Sequence, residues 1–171
     1  MSAEPSLPDT PQWLSAEENE TWLQFSEIMI RMPSALDAQL QRDAGISFYE
    51  YMVLAMLSEQ PDRTLGMGHL ARLTSGSLSR LSHVVKRLEK QGFVTREPSP
   101  HDRRHTNAIL TDAGMAKIVD AAPGHVAQVR RLVFDALSPD QSRGLRDASS
   151  TIRTQIDPSG ECDISINAPR G

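Results

Sequence analysis

Residues 78–91 carry the side chains whose types and spacing most clearly suggest a chemistry, because hydrogen-bond donors and positive charges recur there at helical intervals. At about 100° per residue, the donors fall on one face and the aliphatic side chains on the other. The polar face consists of Ser79, Arg80, Ser82, His83, Lys86 and Arg87. Such a face can donate hydrogen bonds to base edges in the DNA major groove and neutralise phosphates. We therefore predict that this segment reads DNA, with Arg80 and His83 nearest the bases because the N-terminal half enters the groove deepest.

The opposite face of the same segment is aliphatic. Leu78, Leu81, Val84, Val85 and Leu88 lie within an arc of about 120° when the segment is drawn as a helix. This stripe predicts that all five side chains are buried against a core. A surface helix with solvated charges is the alternative interpretation, and the neighbouring segments decide between the two.

A second cationic feature lies in the polar loop between two predicted strands, residues 93–96 and 106–110. The loop contains Asp102, Arg103 and Arg104. The minor groove concentrates negative potential, so Arg103 and Arg104 at the tip of a hairpin are predicted to contact DNA there. A carboxylate repels phosphate, and Asp102 is therefore predicted to brace an arginine and keep the tip rigid.

The distribution of charge favours this interpretation more than the net charge of −4 does. Residues 1–50 carry nine acidic against two basic side chains, whereas residues 65–104 carry eight basic against three acidic ones. Phosphate neutralisation acts over about a Debye length, so a local cationic surface suffices for DNA binding.

Helices must hold these two features in place, and three serines mark where helices begin. Ser15, Ser47 and Ser138 each precede a Glu or Gln by three residues, which is the pattern of a capping box. A short helix over residues 67–73 and a turn over 74–77 precede the DNA-reading segment and predict a helix-turn-helix.

Proline and glycine positions predict where the helices bend or end. The DNA-reading helix is expected to end before Gly92, and Pro33 is expected to bend the first helix. A long helix is expected from Thr111 to about Leu137, interrupted at Pro123-Gly124.

Several short motifs resemble the MarR family of transcription regulators. They are Leu70-Ala71, Leu73-Thr74, residues 78–97, Asp102-Arg103-Arg104 and residues 110–114. The combined spacing of R-L-E-x-x-G-x-V, D-x-R and L-T-x-x-G is more specific than any single motif. The resemblance implies a homodimer with interdigitated N- and C-terminal helices, and double-stranded DNA as its partner. It also implies a pseudo-palindromic operator and, often, a small-molecule effector.

The expected fold is mainly α with a small two- to three-stranded β wing, a winged helix-turn-helix inside a helical dimerisation frame. The expected divisions are a flexible tail (1–12), N-terminal frame helices (13–61), the winged helix-turn-helix (62–111), C-terminal dimerisation helices (112–156) and a second flexible tail (157–171).

Aromatic, aliphatic and methionine side chains outside the DNA-reading segment admit two interpretations. Dimerisation is predicted for Trp22, Phe25, Leu132, Val133, Phe134, Leu137 and Leu145. A ligand cleft between the frame and the winged domain could instead be lined by Trp13, Trp22, Phe25, Met29, Met52 and Met56. Stripes of this kind at helical spacing usually form a core or a subunit contact, so packing is favoured.

Other classes of function find little support. No catalytic or nucleotide-binding motif is present, so no enzyme activity and no cofactor are expected. His101 and His105 are four residues apart, but neighbouring arginines disfavour a metal cation. Cys162 is the only cysteine, and Asp163 beside it does not favour a reactive thiolate. The N-terminal residues lack the features of a secretory signal, so a cytoplasmic protein without membrane contact is expected.

The expected function is therefore that of a sequence-specific transcription regulator, a repressor that acts as a homodimer. A winged-helix protein-interaction or architectural module with weak DNA binding is the alternative.

Overall fold

The computed structural model describes residues 11–100 and 102–160 of the chain. These residues contain six α-helices, one 3₁₀ helix and three strands. They are α1 Ala16–Ala44, α2 Phe48–Ser58, β1 Thr64–Gly66, α3 Met67–Leu73, α4 Leu78–Lys90, β2 Val94–Pro98, β3 Thr106–Leu110, α5 Asp112–Leu132, the 3₁₀ helix Phe134–Ala136 and α6 Pro139–Ile156. His101, Cys162 and most of both predicted tails lie outside the described residues. Among the described helices, none has the length and apolar character needed to cross a bilayer.

Three helices begin at the capping boxes predicted from the sequence. In each, the serine Oγ accepts the N–H of the residue three positions later, whose side chain accepts the serine N–H in return. The pairs are Ser15 with Glu18, Ser47 with Glu50, and Ser138 with Gln141. These local sequence signals therefore fix where α1, α2 and α6 start.

Two compact units divide the chain, and the boundary falls within α1 after Ala35. The described part of the first unit is the N-terminal part of α1 with the residues before it. Its aromatic pair, Trp22 and Phe25, has ring centroids 6.4 Å apart. α1 continues through Pro33 without a break.

Helix α2 forms the centre of the second unit. It packs against α3, α4, α5 and β3. Val53, Leu54 and Leu57 are fully buried, and a helix that is apolar on nearly every side can only be stable when it is enclosed. α4 covers one side of α2 with the side chains of Leu81, Val84, Val85 and Leu88, all of them buried.

The prediction that Leu78 belongs to this buried stripe is wrong, because its side chain is 57% exposed. Leu78 is the first residue of α4. Helical side chains lean toward the N-terminus, so a side chain in the first turn extends past the end of the helix rather than over the core.

The sheet is antiparallel with strand order β1-β3-β2. Thr64 lies opposite Ile109, and Val94 lies opposite Leu110. β2 and β3 correspond to the two predicted strands, whereas β1 was not located from the sequence. Its three residues are too few to show the alternation of polar and apolar side chains that indicates a strand.

The predicted interruption at Pro123-Gly124 is wrong, since α5 is continuous from Asp112 to Leu132. Proline forfeits one backbone hydrogen bond, but its φ suits a helix. Gly124 lies against the end of α1, where an added Cβ would be 3.2 Å from Nε2 of Gln39. The helix ends instead at Val133, whose φ of −121° leaves the helical region.

A hydrogen-bonded joint connects the end of α4 to the start of α5. Gly92 has a φ of +77° and ends α4, as predicted. Thr111 donates its hydroxyl to the Gly92 carbonyl at 2.6 Å and its N–H to the Phe93 carbonyl at 3.0 Å. Thr111 Oγ1 also caps α5 by accepting the Gly114 N–H. A Cβ on Gly114 would overlap the Phe93 carbonyl oxygen, so this position requires glycine.

Gly114→Ala should therefore destabilise the second unit, because the added methyl group displaces backbone at the joint. We expect a loss of about 1–3 kcal/mol in the free energy of unfolding, measured by urea denaturation. Gly68→Ala is the matched control, because a Cβ there meets nothing within 4 Å. Its effect should stay within about 0.5 kcal/mol. Equal effects of the two substitutions would contradict the role of the joint.

Candidate nucleic-acid interface

Helices α3 and α4 are joined by a tight turn that fixes the start of α4. Ser75 has a φ of 50°, and the Gly76 N–H donates to the Ala71 carbonyl at 3.0 Å. Ser77 then caps α4, with its Oγ accepting the Arg80 N–H at 3.2 Å. This is the geometry of a helix-turn-helix.

The outward face of α4 contains the side chains that the sequence analysis proposed for DNA reading. Ser79, Arg80, His83, Lys86 and Arg87 are exposed, and Ser82 is half-buried. Arg80, His83 and Lys86 have no hydrogen-bond acceptor or ion-pair partner for their side chains within the described residues. α4 therefore presents free donors and positive charge on one surface.

Arg80 is held by an aromatic ring that the sequence analysis did not identify. Its Cζ lies 4.4 Å from the ring centroid of Tyr49, a cation–π contact between α4 and α2. The Tyr49 hydroxyl is 2.9 Å from Thr74 Oγ1 at the end of α3. The missing Cβ of Gly76 leaves the space that this hydroxyl occupies.

Arg87 is held by a buried carboxylate on α2. Its Nε lies 2.6 Å from Oε1 of Glu50, a residue only 4% exposed. The second oxygen of Glu50 accepts the Ser47 N–H in the capping box. Both oxygens of the buried carboxylate therefore have partners, and one carboxylate both starts α2 and fixes α4. The capping box was visible in the sequence, but the partner 37 residues later was not.

The wing consists of β2, β3 and the tip residues Arg103 and Arg104. Arg104 donates from Nη2 to Oδ2 of Asp102 at 2.7 Å and from Nε to both carboxylate oxygens at 3.1 Å. Its backbone N–H also donates to Asp102 Oδ1 at 3.0 Å. These hydrogen bonds lower the pKa of Asp102 and raise the pKa of Arg104.

The contact of Asp102 with Arg104 is the one that the sequence analysis expected. His105 Nε2 approaches the same carboxylate at 3.7 Å. Arg103 is exposed, and its side chain has no partner within the described residues. The tip of the wing therefore carries one oriented arginine, Arg104, and one without a partner in the described residues, Arg103.

A further ion pair connects the wing to α4. Arg96 of β2 donates from Nε at 2.8 Å and from Nη2 at 2.7 Å to Oε2 of Glu89. Glu89 is the only acid of α4, so this ion pair also neutralises the one negative charge on the helix. The orientation of the hairpin is thus tied to the helix that it follows.

Comparison with known proteins identifies the family of this chain. Residues 44–105 match the profile of the MarR family. Sco3205 from Streptomyces coelicolor, a MarR family transcriptional regulator solved in complex with DNA, is 44% identical. The superposition covers 91% of this chain and 97% of Sco3205, with a TM-score of 0.83. The chain belongs to the MarR family of transcriptional regulators.

Two further relatives agree with this assignment. AbsC from Streptomyces coelicolor, also a MarR family transcriptional regulator, is 34% identical, with 87% of this chain and all of AbsC covered and a TM-score of 0.80. The HTH-type transcriptional regulator YkoM of Bacillus subtilis is 30% identical over 129 residues, which are 73% of this chain and 81% of YkoM. The predicted family, winged helix-turn-helix fold and DNA-binding class of this MarR-family chain are confirmed.

The side chains predicted for dimerisation or ligand contact in this MarR-family chain fall in both compact units. In the first unit, Trp13, Trp22 and Met29 are exposed and Phe25 is half-buried. In the second unit, Met56 is buried in the core, Phe134 and Leu145 are exposed, and Met52, Leu132, Val133 and Leu137 are half-buried. The ligand cleft therefore stays a prediction. Residues 11–100 and 102–160 contain no group of three metal-ligating side chains.

Glu50→Gln should destabilise this MarR-family chain, because a side-chain amide cannot accept from both Ser47 and Arg87. One of the two donors would lose its acceptor on a buried side chain, and we expect a loss of about 1–3 kcal/mol in the free energy of unfolding. Glu89→Gln, which weakens the pair of Arg96 with a more exposed carboxylate than that of Glu50, is the matched control and should cost less than about 1 kcal/mol. Urea denaturation compares them, and an equal or smaller effect of Glu50→Gln would refute the buried clamp.

Proposed function

We propose that this MarR-family chain represses transcription as a homodimer on a pseudo-palindromic operator, and that a small ligand relieves the repression. In this proposal α4 lies in the major groove and the wing tip in the adjacent minor groove. The observation that carries it is the set of side-chain donors without partners in the described residues. They are Arg80, His83 and Lys86 on α4 and Arg103 on the wing.

The polar side chains of α4 divide by position along the helix. Arg80 and His83 lie in the N-terminal half and are assigned to base edges, together with Ser79 and Ser82. Lys86 and Arg87 lie nearer the C-terminal end and are assigned to phosphates. Arg87 uses Nε for Glu50, so its remaining guanidinium nitrogens stay available for a phosphate oxygen.

Arg103 and Arg104 are assigned to the minor groove. A narrow minor groove attracts arginine by its negative potential rather than by a unique pattern of donors and acceptors. Asp102 restricts the Arg104 side chain before DNA arrives, which lowers the entropy that binding must remove. Arg103, without such a partner, supplies charge that can adapt to the groove.

The homodimer is supported by exposed apolar side chains within each unit. α6 has no buried residue in the single chain, yet Leu145, Ile152 and Ile156 follow one another at helical spacing and are exposed. Phe134 is 49% exposed, and Trp22 in the first unit is 51% exposed. An apolar stripe of this kind needs a covering surface. A second copy with two-fold symmetry is the proposed cover, and it would place two α4 helices about one DNA turn apart.

The proposal that a small ligand relieves repression is supported by three exposed side chains of the first unit that were predicted to contact it, Trp13, Trp22 and Met29. The chain has two tryptophans, Trp13 and Trp22, and both belong to this set. Tryptophan emission therefore reports directly on occupancy. A small effector should change the emission and weaken operator binding together. Emission changes that leave operator affinity unaltered would argue against a regulatory ligand.

A salt titration tests sequence-specific binding. A regulator should bind its operator about 10³-fold more tightly than random DNA, and both affinities should fall steeply with salt because counterions are released. A protein-interaction or architectural module should show weak affinity and little discrimination at every salt concentration. The second outcome would replace the proposed function.

Two substitutions should separate the roles of the wing and of α4. Arg104→Ala should weaken binding to all sequences and reduce the salt slope by about one. His83→Ala should instead reduce discrimination about tenfold at particular base pairs. Arg42→Ala, at an exposed position near the end of α1, is the charge-matched control and should change neither quantity. Identical effects of Arg104→Ala and His83→Ala would contradict the assignment of roles.

A further inference from the structure

Tyr49 is the only aromatic side chain with a cation–π contact among the described residues, and its partner is on the DNA-reading face of α4. The contact uses the charge of Arg80 rather than its N–H groups. Those N–H groups have no hydrogen-bond acceptor among the described residues. Arg80 is thus held in place while its full set of five donors stays free for another acceptor.

The ring that holds Arg80 is itself fixed at both ends. Its backbone lies in the first turn of α2, two residues after the Ser47 cap. At the other end, Thr74 Oγ1 donates its single proton to the Leu70 carbonyl at 2.8 Å. When Thr74 donates there, the Tyr49 hydroxyl is the donor in its 2.9 Å hydrogen bond to Thr74 Oγ1. The ring cannot turn away without breaking this bond.

The turn of the helix-turn-helix is shaped around the same ring. A Cβ on Gly76 would overlap the Tyr49 hydroxyl and lie 3.0 Å from Cζ of the ring. Tyr49 consequently contacts α3, the turn and α4 at the point where the DNA-reading helix begins. Tyr49 is therefore placed where it can set the conformation of Arg80. A tyrosine that was merely exposed on the surface would not need contacts with all three of these elements.

We propose that Tyr49 is a positioning residue for base reading: its ring pre-orders Arg80 so that the guanidinium can donate two hydrogen bonds to O6 and N7 of a guanine in each half-site. The inference rests on the proposed function, because it needs Arg80 to contact a base. An unrestrained arginine loses rotamer entropy when it binds. Prior ordering removes part of that loss, and it favours the one base pair whose acceptors match the ordered donors.

The test uses the full chain and a duplex selected by it from random DNA, with single base-pair changes in one half-site. Arg80→Ala should reduce discrimination at one base pair about tenfold. Tyr49→Leu should reduce discrimination at the same base pair about threefold, with the salt slope unchanged. Tyr49→Phe keeps the ring and should preserve discrimination. The double variant Tyr49→Leu with Arg80→Ala should match Arg80→Ala alone.

The outcomes distinguish the inference from the function on which it rests. No change with Arg80→Ala would overturn the base-reading assignment of Arg80. A clear change with Arg80→Ala but none with Tyr49→Leu, or tighter and more selective binding by Tyr49→Leu, would overturn the positioning role alone. Uniform loss of affinity at all base pairs with Tyr49→Leu would indicate a purely structural role.

A measurement on the unsubstituted chain keeps the inference testable if Tyr49→Leu fails to fold. Nitrogen relaxation of arginine side chains compares the mobility of Nε in Arg80 with that in Arg103, which has no partner within the described residues. Arg80 should be the more rigid of the two and should show a ring-current shift. Equal mobility of the two side chains would overturn the inference.

Discussion

The packing of α4 against α2 is the constraint on which the other features of the site depend. Leu81, Val84, Val85 and Leu88 bury one face of α4, and this burial leaves the opposite face directed away from the core. The two polar contacts between these helices come from adjacent residues of α2, Tyr49 and Glu50, which hold Arg80 and Arg87. Hydrophobic burial thus places the helix, and the polar contacts fix the arginines that burial alone would leave free.

Acidic side chains near the interface serve mainly to orient cations. Glu89 and Asp102 are two of the three acids in residues 65–104, and they pair with Arg96 and Arg104. Each pair connects or stiffens an element at the interface while neighbouring donors stay free. A chain with a net charge of −4 can therefore present a cationic surface, because two of the three acids of this region are paired with arginines and all other acids lie elsewhere in the sequence.

Features governed by neighbouring residues could be predicted from the sequence, whereas those that depend on distant residues could not. The three capping boxes, the C-terminal glycine Gly92 and the polar face of α4 follow from spacings of a few residues. The contact between Tyr49 and Thr74 spans 25 residues, and the one between Glu50 and Arg87 spans 37. The exposure of Leu78 depends on where the helix begins relative to the core, which periodicity does not specify.

Selection of bound duplexes from a random DNA pool by the full chain tests the proposed regulator most directly. Sequence-specific binding by a two-fold symmetric dimer predicts enrichment of a pseudo-palindrome whose half-sites are centred about 10 base pairs apart, one helical turn. A pool that shows no consensus after repeated selection, or a single asymmetric half-site, would contradict it.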